Sequence, residues 1–406
     1  MSAHEPGLMA PTASTTGQST TGQSVGTRVS DAMSGGFRVV PVVIALIAIW
    51  LFFNSQNSAY LSPENLSNLS LQIVTTAMLA LGVVFVLVVG EIDLSGAALG
   101  AVCATIAAQV AVNMGQPIWI ALAIGILAGM ALAGVESLIV VFGVPSLIVT
   151  LGGMTALLGL LLVVMPEEFS ISLGGNAYEQ IAATQIPASV SILLAVTASL
   201  VYGLGRWATQ RRLSSPNSMI RRVLLPSILV AVVVIGVVAA VSSSSGLALP
   251  VAILILMLMV SSYFMTQTRY GSHLFAVGGN RQAAARAGIP VARMIIFSFL
   301  ILGACAAMAG VVDASRLLMV SPSSGTGSLM LDAIAAAVVG GTSLFGGRGT
   351  AWAALLGALV IGSINNGVEL LGLSTEVQYF ATAGVLVLAV SVDVVLTRGS
   401  FLPRRI

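Results

Sequence analysis

Lysine is absent from this chain of 406 residues, because all 16 of its basic residues are arginine. A phosphate-binding loop of the GxxxxGK[ST] type needs a lysine, so any nucleotide that drives this protein must be bound by another chain. Cysteine and histidine are nearly absent as well. Cys103 and Cys305 lie in apolar runs without CxxC spacing, and His4 and His273 are far apart. We therefore expect no metal site, no cofactor and no catalytic residues.

Charge is scarce too, at 7% of the residues, whereas 57% are hydrophobic and the mean hydropathy is +1.04. A soluble core could not enclose so many apolar side chains. Nearly uncharged runs recur that reach the roughly 20 residues needed to cross a bilayer as a helix. The alternating pattern of a transmembrane barrel is missing. The composition therefore predicts an all-α, polytopic membrane helical bundle.

About 12 transmembrane segments are predicted from the apolar runs. Their approximate bounds are 38–54, 71–89, 94–113, 118–142, 145–165, 188–204, 223–241, 249–265, 294–312, 329–346, 351–371 and 378–396. The tenth segment has a short apolar part that Gly340 and Gly341 follow at once. Such a run is either a crossing or a broken, re-entrant helix, so eleven crossings and one half-helix remain an alternative.

The arginines predict the orientation. With the N-terminus in the cytoplasm, only Arg316 falls on the outer side, as the positive-inside rule expects of short loops. Both termini are therefore predicted to be cytoplasmic. Residues 1–36, rich in Ser, Thr and Gly, are expected to form a disordered N-terminal tail. Residues 37–397 form the membrane domain, and 398–406 form a C-terminal cytoplasmic tail.

One loop of this domain, residues 266–294, is unusually rich in arginine and is called the coupling loop below. Its sequence "FAVGGNRQAAARAGIPVARM" predicts a rigid helix of about two turns, from Arg281 to Ala287. Asn280 can cap its start, Gly288 suits its left-handed end, and Pro290 prevents continuation. The helix is either an ordinary surface helix anchored to lipid by arginine or a docking element for another protein.

The same stretch, "YGSHLFAVGGNRQAAARAGIPVARM", resembles the cytoplasmic loop of the permease subunits of bacterial ABC importers for monosaccharides of the ribose and xylose type. The resemblance extends from about residue 58 onward and includes "GEIDLSGA", "VPSLIVTLGGM" and "LDAIAAAVVGGTSLFGGRGT". Two features depart from the ribose-type pattern: Glu91 replaces a usual glycine, and the spans around the loop 206–222 are additional. Longer relatives of the xylose type are more similar.

The resemblance implies that the coupling loop docks on a separate ATPase subunit. The residues that would make this contact are Gly278, Gly279, Asn280, Arg281, Ala283, Ala284, Arg286 and Gly288. It also implies an extracytoplasmic sugar-binding protein, a second copy of the permease and a monosaccharide substrate. No nucleic-acid partner is expected, and the location is the bacterial inner membrane, in contact with lipid.

Polar residues at membrane depth are costly and are therefore candidates for a translocation pathway. They are Glu91, Asp93, Ser95, Asp332, Gly340, Gly341, Thr342, Asn365 and Asn366, with the glycines included because glycine-interrupted segments recur in both halves of the chain. The alternatives stay open: Asp93 can simply cap the next helix, and the two asparagines can bond across helices.

The resulting hypothesis is a permease subunit of an ABC importer for a xylose-like or related monosaccharide, without catalysis of its own. A proton-coupled secondary sugar transporter is the alternative, because twelve spans suit it equally well. That class needs a charged relay within the membrane, for which Glu136, Glu91 and Asp93 are the few candidates. A passive channel or a membrane scaffold is a third interpretation.

Overall fold

The structure, a computed structural model, describes residues 39–210 and 246–398, together with a few separate residues between 224 and 239. The predicted N-terminal tail, the loop 211–222, most of the predicted span 223–241 and the C-terminal tail after Arg398 lie outside the described residues.

Helices make up most of this part of the chain. They are α1 (Val39–Gln56), α2 (Pro63–Val89), α3 (Gly96–Ala108, continued by a π-turn over Gln109–Asn113), α4 (Ile118–Val141), α5 (Ser146–Val164), α6 (Gln180–Ala183), α7 (Ala188–Gln210), α8 (Leu249–Gln267), α9 (Arg269–Gly279), α10 (Arg281–Arg286), α11 (Val291–Leu317), α12 (Leu329–Val339), α13 (Ala351–Leu370) and α14 (Thr375–Arg398).

Two short antiparallel pairs of strands depart from the purely helical prediction. Strand β1 (Ile171–Ser172) pairs with β4 (Met319–Val320), and β2 (Gln185–Ile186) pairs with β3 (Leu247–Ala248). Ile171 faces Val320 in the first pair, and Gln185 faces Ala248 in the second. Each strand is only two residues long, so the pairs join loops and leave the helical architecture unchanged.

Seven of the described helices are long and apolar enough to cross a membrane, and three shorter apolar helices accompany them. The predicted helical membrane bundle is thereby confirmed, whereas the count of twelve spans stays a prediction. Helix α2 begins eight residues before the predicted span at 71, because Ser62 caps it and Pro63 occupies its first turn. The Ser62 side chain accepts a hydrogen bond of 3.2 Å from the Asn65 amide.

Helix α2 forms the centre of the bundle. All of its residues from 77 to 89 are buried, and it packs against α11, α12 and α13. A helix that is apolar on every side suits such a position. Small residues let the helix backbones approach closely: a Cβ atom on Gly82 would lie 2.9 Å from the Cα atom of Leu302, and one on Gly100 would lie 2.6 Å from the carbonyl oxygen of Ala306.

These two contacts show at which level of α11 the helices α2 and α3 lie. Leu302 and Ala306 lie at the middle of this 27-residue helix, so Gly82 of α2 and Gly100 of α3 are both at mid-level in the bundle. Helix α2 continues for seven residues beyond Gly82, or about 10 Å, whereas α3 begins only one turn before Gly100. Residues 90–95, called the first break, therefore climb back into the bundle before α3 starts.

A second non-helical stretch, residues 318–328, lies between α11 and α12 and is called the second break. Helix α12 is only 11 residues long, about 16 Å. The predicted helical span 329–346 is therefore wrong in its second half. The helix ends at Val339 because Gly340 and Gly341 form a turn, with Gly341 at a φ of +108°, a left-handed conformation that favours glycine.

Candidate functional site

The helix predicted in the coupling loop is present as α10. The Asn280 side chain accepts a hydrogen bond of 2.9 Å from the Ala283 amide, and the Ile289 amide donates to the carbonyl of Ala284 at 3.0 Å. Gly288 has a φ of +79°. The cap and the left-handed end are thus confirmed, although the helix is six residues long and ends at Arg286 rather than Ala287.

Helix α10 projects from the rest of the chain. Every one of its side chains is exposed except that of Ala284, which is 4% exposed. Ala284 was predicted to contact an ATPase, but its side chain is turned towards the chain itself and holds α10 in place. The α10 residues that a partner could contact are Arg281, Gln282, Ala283, Ala285 and Arg286.

Three glycine-containing segments meet beneath α10. The Gly347 amide donates a hydrogen bond of 2.9 Å to the carbonyl of Val88, at the end of α2. Gly278, at the end of α9, packs so closely against Val88 and Gly347 that any side chain there would overlap their backbones. Gly278 therefore serves close packing within the chain, whereas its neighbour Gly279 is exposed.

An ion pair connects the coupling loop to the first break. The guanidinium of Arg281 donates to Glu91 Oε1, and the Glu91 side chain is 8% exposed against 50% for that of Arg281. Glu91 was predicted to line the pathway and Arg281 to contact the ATPase, as parts of separate sites. The structure brings them together across 190 residues, a separation at which no local pattern signals a contact.

The rest of the first break is enclosed by protein. Asp93 accepts hydrogen bonds from the amides of Ser95 (2.7 Å) and Gly96 (3.0 Å), so its carboxylate caps the start of α3. The Ser95 hydroxyl also lies 2.9 Å from Glu136 Oε2 on α4. All three side chains are buried, Asp93 and Glu136 at 2% and 7% exposure. The geometry agrees with the alternative in which Asp93 caps a helix. It also shows that Glu136, which was considered only as part of a proton relay, contacts the first break through Ser95.

The predicted polar residues near α12 are also enclosed. Ser328 donates a hydrogen bond of 2.9 Å to Asp332 in the first turn of α12, where a carboxylate is favoured by the helix dipole. Gly340 packs against Ala353 of α13, and Thr342 is 1% exposed. The contact of Gly340 with Ala353 holds the end of α12 against α13.

Asn365 and Asn366 differ in their surroundings. Asn366 exchanges hydrogen bonds with Asn65 of α2, at 2.8 Å and 3.2 Å, and donates a further one to Gln72. It therefore bonds across helices, as one of the two alternatives proposed. The side-chain oxygen of Asn365 is buried without a hydrogen-bond partner among the described residues.

The groove between α7 and α8, about 770 Å³ in volume, offers little to a polar solute. Its lining is almost entirely aliphatic and aromatic, with residues such as Leu194, Val201 and Ile253. Within the described ranges, no three His, Cys, Asp or Glu side chains lie close enough to hold a metal ion.

Several apolar helices of membrane-spanning length, two of them connected by a loop with a capped, exposed helix, indicate a polytopic membrane protein. Residues 65–390 match the family described as branched-chain amino acid transport system / permease component. The chain belongs to this family of permease components. It is therefore a transporter subunit and not an enzyme.

The individual proteins to which the chain is similar are permeases as well. The chain is 35% identical over 382 residues to the xylose transport system permease protein XylH of Escherichia coli (strain K12), covering 90% of this chain and 96% of the relative. It is 33% identical to the XylH protein of Haemophilus influenzae, covering 89% and 97%. It is 31% identical to the ribose import permease protein RbsC of Haemophilus influenzae, covering 86% and 91%. No solved structure matches the chain.

Proposed function

We propose that this chain is the permease subunit of an ABC importer in the bacterial inner membrane, which carries a xylose-like monosaccharide into the cytoplasm. The observation that carries the proposal is the similarity to xylose permeases over nearly the whole length of both chains. A separate ATPase subunit supplies the energy, since a chain without lysine has no phosphate-binding loop of its own.

A topology of twelve crossings with both termini in the cytoplasm fits the helices. Seven long spans, three shorter apolar helices, α14 and the predicted span 223–241 add up to that number. The coupling loop then lies in the cytoplasm together with the first turn after α2, which it contacts. The arrangement puts almost every arginine on the side where the positive-inside rule expects it.

The coupling loop is the proposed contact for the ATPase. The exposed alanines of α10, Ala283 and Ala285, have small side chains, so a groove of another protein can approach them closely, and Arg286 lies beside them. Arg281 remains bound to Glu91 at the start of α10. A push on α10 is therefore transmitted to the first break, which carries the capped start of α3 at mid-level in the bundle.

Two copies of the chain would enclose the pathway, and a sugar-binding protein would deliver its cargo to the acidic outer loops. These loops carry Glu167, Glu168 and Glu179. A neutral sugar needs no buried counter-ion, in agreement with the scarcity of charge at membrane depth. Lipid would surround the remaining apolar faces of the bundle.

Reconstitution tests the proposal. Liposomes that hold this chain with its ATPase, supplied with binding protein and xylose outside, should accumulate xylose only when ATP is inside. Uptake should continue in the presence of an uncoupler. Accumulation by liposomes that contain this chain alone, or collapse of uptake with the proton gradient, would contradict the proposal and favour proton coupling.

A further inference from the structure

The second break descends from the end of α11 to the middle of the bundle. It leaves α11 at Leu317, and Gly325 lies against the first turn of α3. A Cβ atom on Gly325 would be 2.6 Å from the carbonyl oxygen of Ala97 and 2.7 Å from the Cβ atom of Ala101. Gly100, which lies between these two alanines, contacts Ala306 at the middle of α11, so Gly325 is at about mid-level too.

Helix α12 then starts at the same depth. Its Met330 side chain packs against Gly96, so that a Cβ atom on the glycine would lie 3.2 Å from the Met330 sulfur. The first turns of two helices, α3 and the short α12, thus meet in the interior of the bundle. Each follows a non-helical break, which is the arrangement that surrounds the central site of many secondary transporters.

The second break is exposed at this depth. Ser323, Thr326 and Gly327 are exposed to the outside of the single chain, and Ser321 and Ser324 are partly so. Irregular backbone does not face lipid within the hydrocarbon layer, since its amide and carbonyl groups would lack hydrogen-bond partners. It is tolerated where it is buried in protein or borders water.

The composition of the second break favours water and a neutral polar solute. Residues 321–328 read SPSSGTGS, with five hydroxyl groups and no charge. The hydroxyl groups also form hydrogen bonds with one another and with the local backbone. The hydroxyl oxygens of Ser321 and Ser323 are 2.9 Å apart, and the Thr326 hydroxyl donates to the carbonyl of Ser323. A donating hydroxyl keeps its oxygen free to accept, so a sugar hydroxyl can donate to Thr326.

We propose that residues 321–328 line the aqueous translocation pathway at mid-membrane, with Ser323 and Thr326 as contacts for the hydroxyl groups of the passing sugar. This inference rests on the proposed function for the identity of the solute. The claim that the segment borders water does not depend on it.

Cysteine accessibility tests the location. In Ser323→Cys and Thr326→Cys variants, a charged, membrane-impermeant methanethiosulfonate should modify the new thiol, while the buried Cys103 and Cys305 of the unaltered chain define the background. The matched control is Leu127→Cys. Leu127 is 63% exposed on α4, next to Gly129, which packs on Gly303 near the middle of α11. We expect the two test thiols to react at least about tenfold faster than the control, because the reactive thiolate is disfavoured in hydrocarbon.

Solute contact is tested separately by replacing Thr326. With the complete complex, Thr326→Val should lower xylose uptake several-fold, and Thr326→Ser, which retains the hydroxyl, should restore it. Modification of the cysteine at position 326 should block uptake. Unchanged uptake in the Val variant would contradict the solute contact.

The outcomes separate this inference from the proposed function. If both test thiols are as slow as the control while ATP-driven uptake proceeds, the second break does not border the pathway and the proposed function stands. Ready disulfide formation between two copies, together with protection from the reagent, would likewise overturn the inference, since a second copy would then cover the segment. Reactive thiols in a protein that shows no ATP-driven uptake would confirm the aqueous location and contradict the proposed function.

Discussion

The two breaks share their geometry and differ in their surroundings. Each follows a long helix and precedes a helix, α3 or α12, whose first turn lies in the interior of the bundle. The first break is enclosed and acidic, with Asp93 capping α3 and Glu91 bound to Arg281. The second break is exposed and carries hydroxyl groups. An enclosed, ion-paired segment can transmit a movement, whereas an exposed polar segment can border a solute.

The first break carries charged residues and the second carries none, and their different surroundings explain why. A buried carboxylate is tolerated when amides or a guanidinium satisfy its oxygens, as amides do for Asp93 and a guanidinium does for Glu91. A segment that a neutral sugar must leave again is better served by hydroxyl groups, which bind weakly and carry no charge. The three predictions that follow test this division, from the largest effect to the smallest.

Replacement of Gly325 should separate the second break from α3. Gly325→Val places a branched side chain against the Ala97 carbonyl at a φ of +74°, so we expect the free energy of unfolding to fall by about 2–5 kcal/mol, with loss of uptake. Thermal unfolding in detergent measures the change. Gly327→Val is the control, because Gly327 shares the positive φ but has open space around it. Equal losses in both variants would mean that backbone strain, and not the seat on α3, is responsible.

Removal of the ion pair should disconnect the first break from the coupling loop. Glu91→Ala and Arg281→Ala should each lower ATP-driven uptake about tenfold, a change of roughly 1.4 kcal/mol, and the double variant should lose little more than either alone. ATP hydrolysis by the complex should persist. Arg269→Ala removes another exposed arginine of the same loop and controls for the loss of positive charge.

Exchanging the two charges distinguishes the loss of the ion pair from general damage to the protein. A Glu91→Arg, Arg281→Glu chain should recover part of the uptake if the pair itself transmits the movement. Additive losses in the double variant, with no recovery on exchange, would show that the two residues act independently.

Neutralisation of Asp93 should have the smallest effect. Asp93→Asn retains an oxygen that can accept from the amides of Ser95 and Gly96, so the loss is the charge-assisted part of these bonds, about 1 kcal/mol of unfolding free energy. Uptake should be nearly unchanged. Thr350→Ala, which removes the cap of α13, gives a reference for the loss of an ordinary helix cap. A large loss of uptake at unaltered thermal stability would place Asp93 in the pathway instead.

Much of the fold follows from local signals. Apolar runs predict helices wherever they occur, and the Asn280 cap with Gly288 predicts α10, because capping involves residues only a few positions apart. The end of α12 was partly anticipated, since Gly340 and Gly341 were noted as a place where a helix could break. The start of α2 was missed, because Ser62 and Pro63 begin a helix whose first turns are polar.

The site was predicted less completely than the fold. Glu91 and Arg281 were both singled out, but for different roles, and their contact has no signature in sequence. Glu136 was noted as a carboxylate without its partner Ser95. The second break was not considered at all, because a Ser- and Gly-rich stretch between two apolar runs reads as an ordinary surface loop.

The amino-acid sequence by itself determined that this chain is a bundle of membrane helices with a rigid, arginine-rich helix on one loop. Hydropathy and helix capping are properties of neighbouring residues, and they can be read in order along the chain. Only the tertiary structure decided how deep each helix end lies and which polar side chains meet. Those depend on close contacts between glycines and residues distant in sequence, such as Gly82 against Leu302 and Gly325 against Ala97, and no local pattern encodes them.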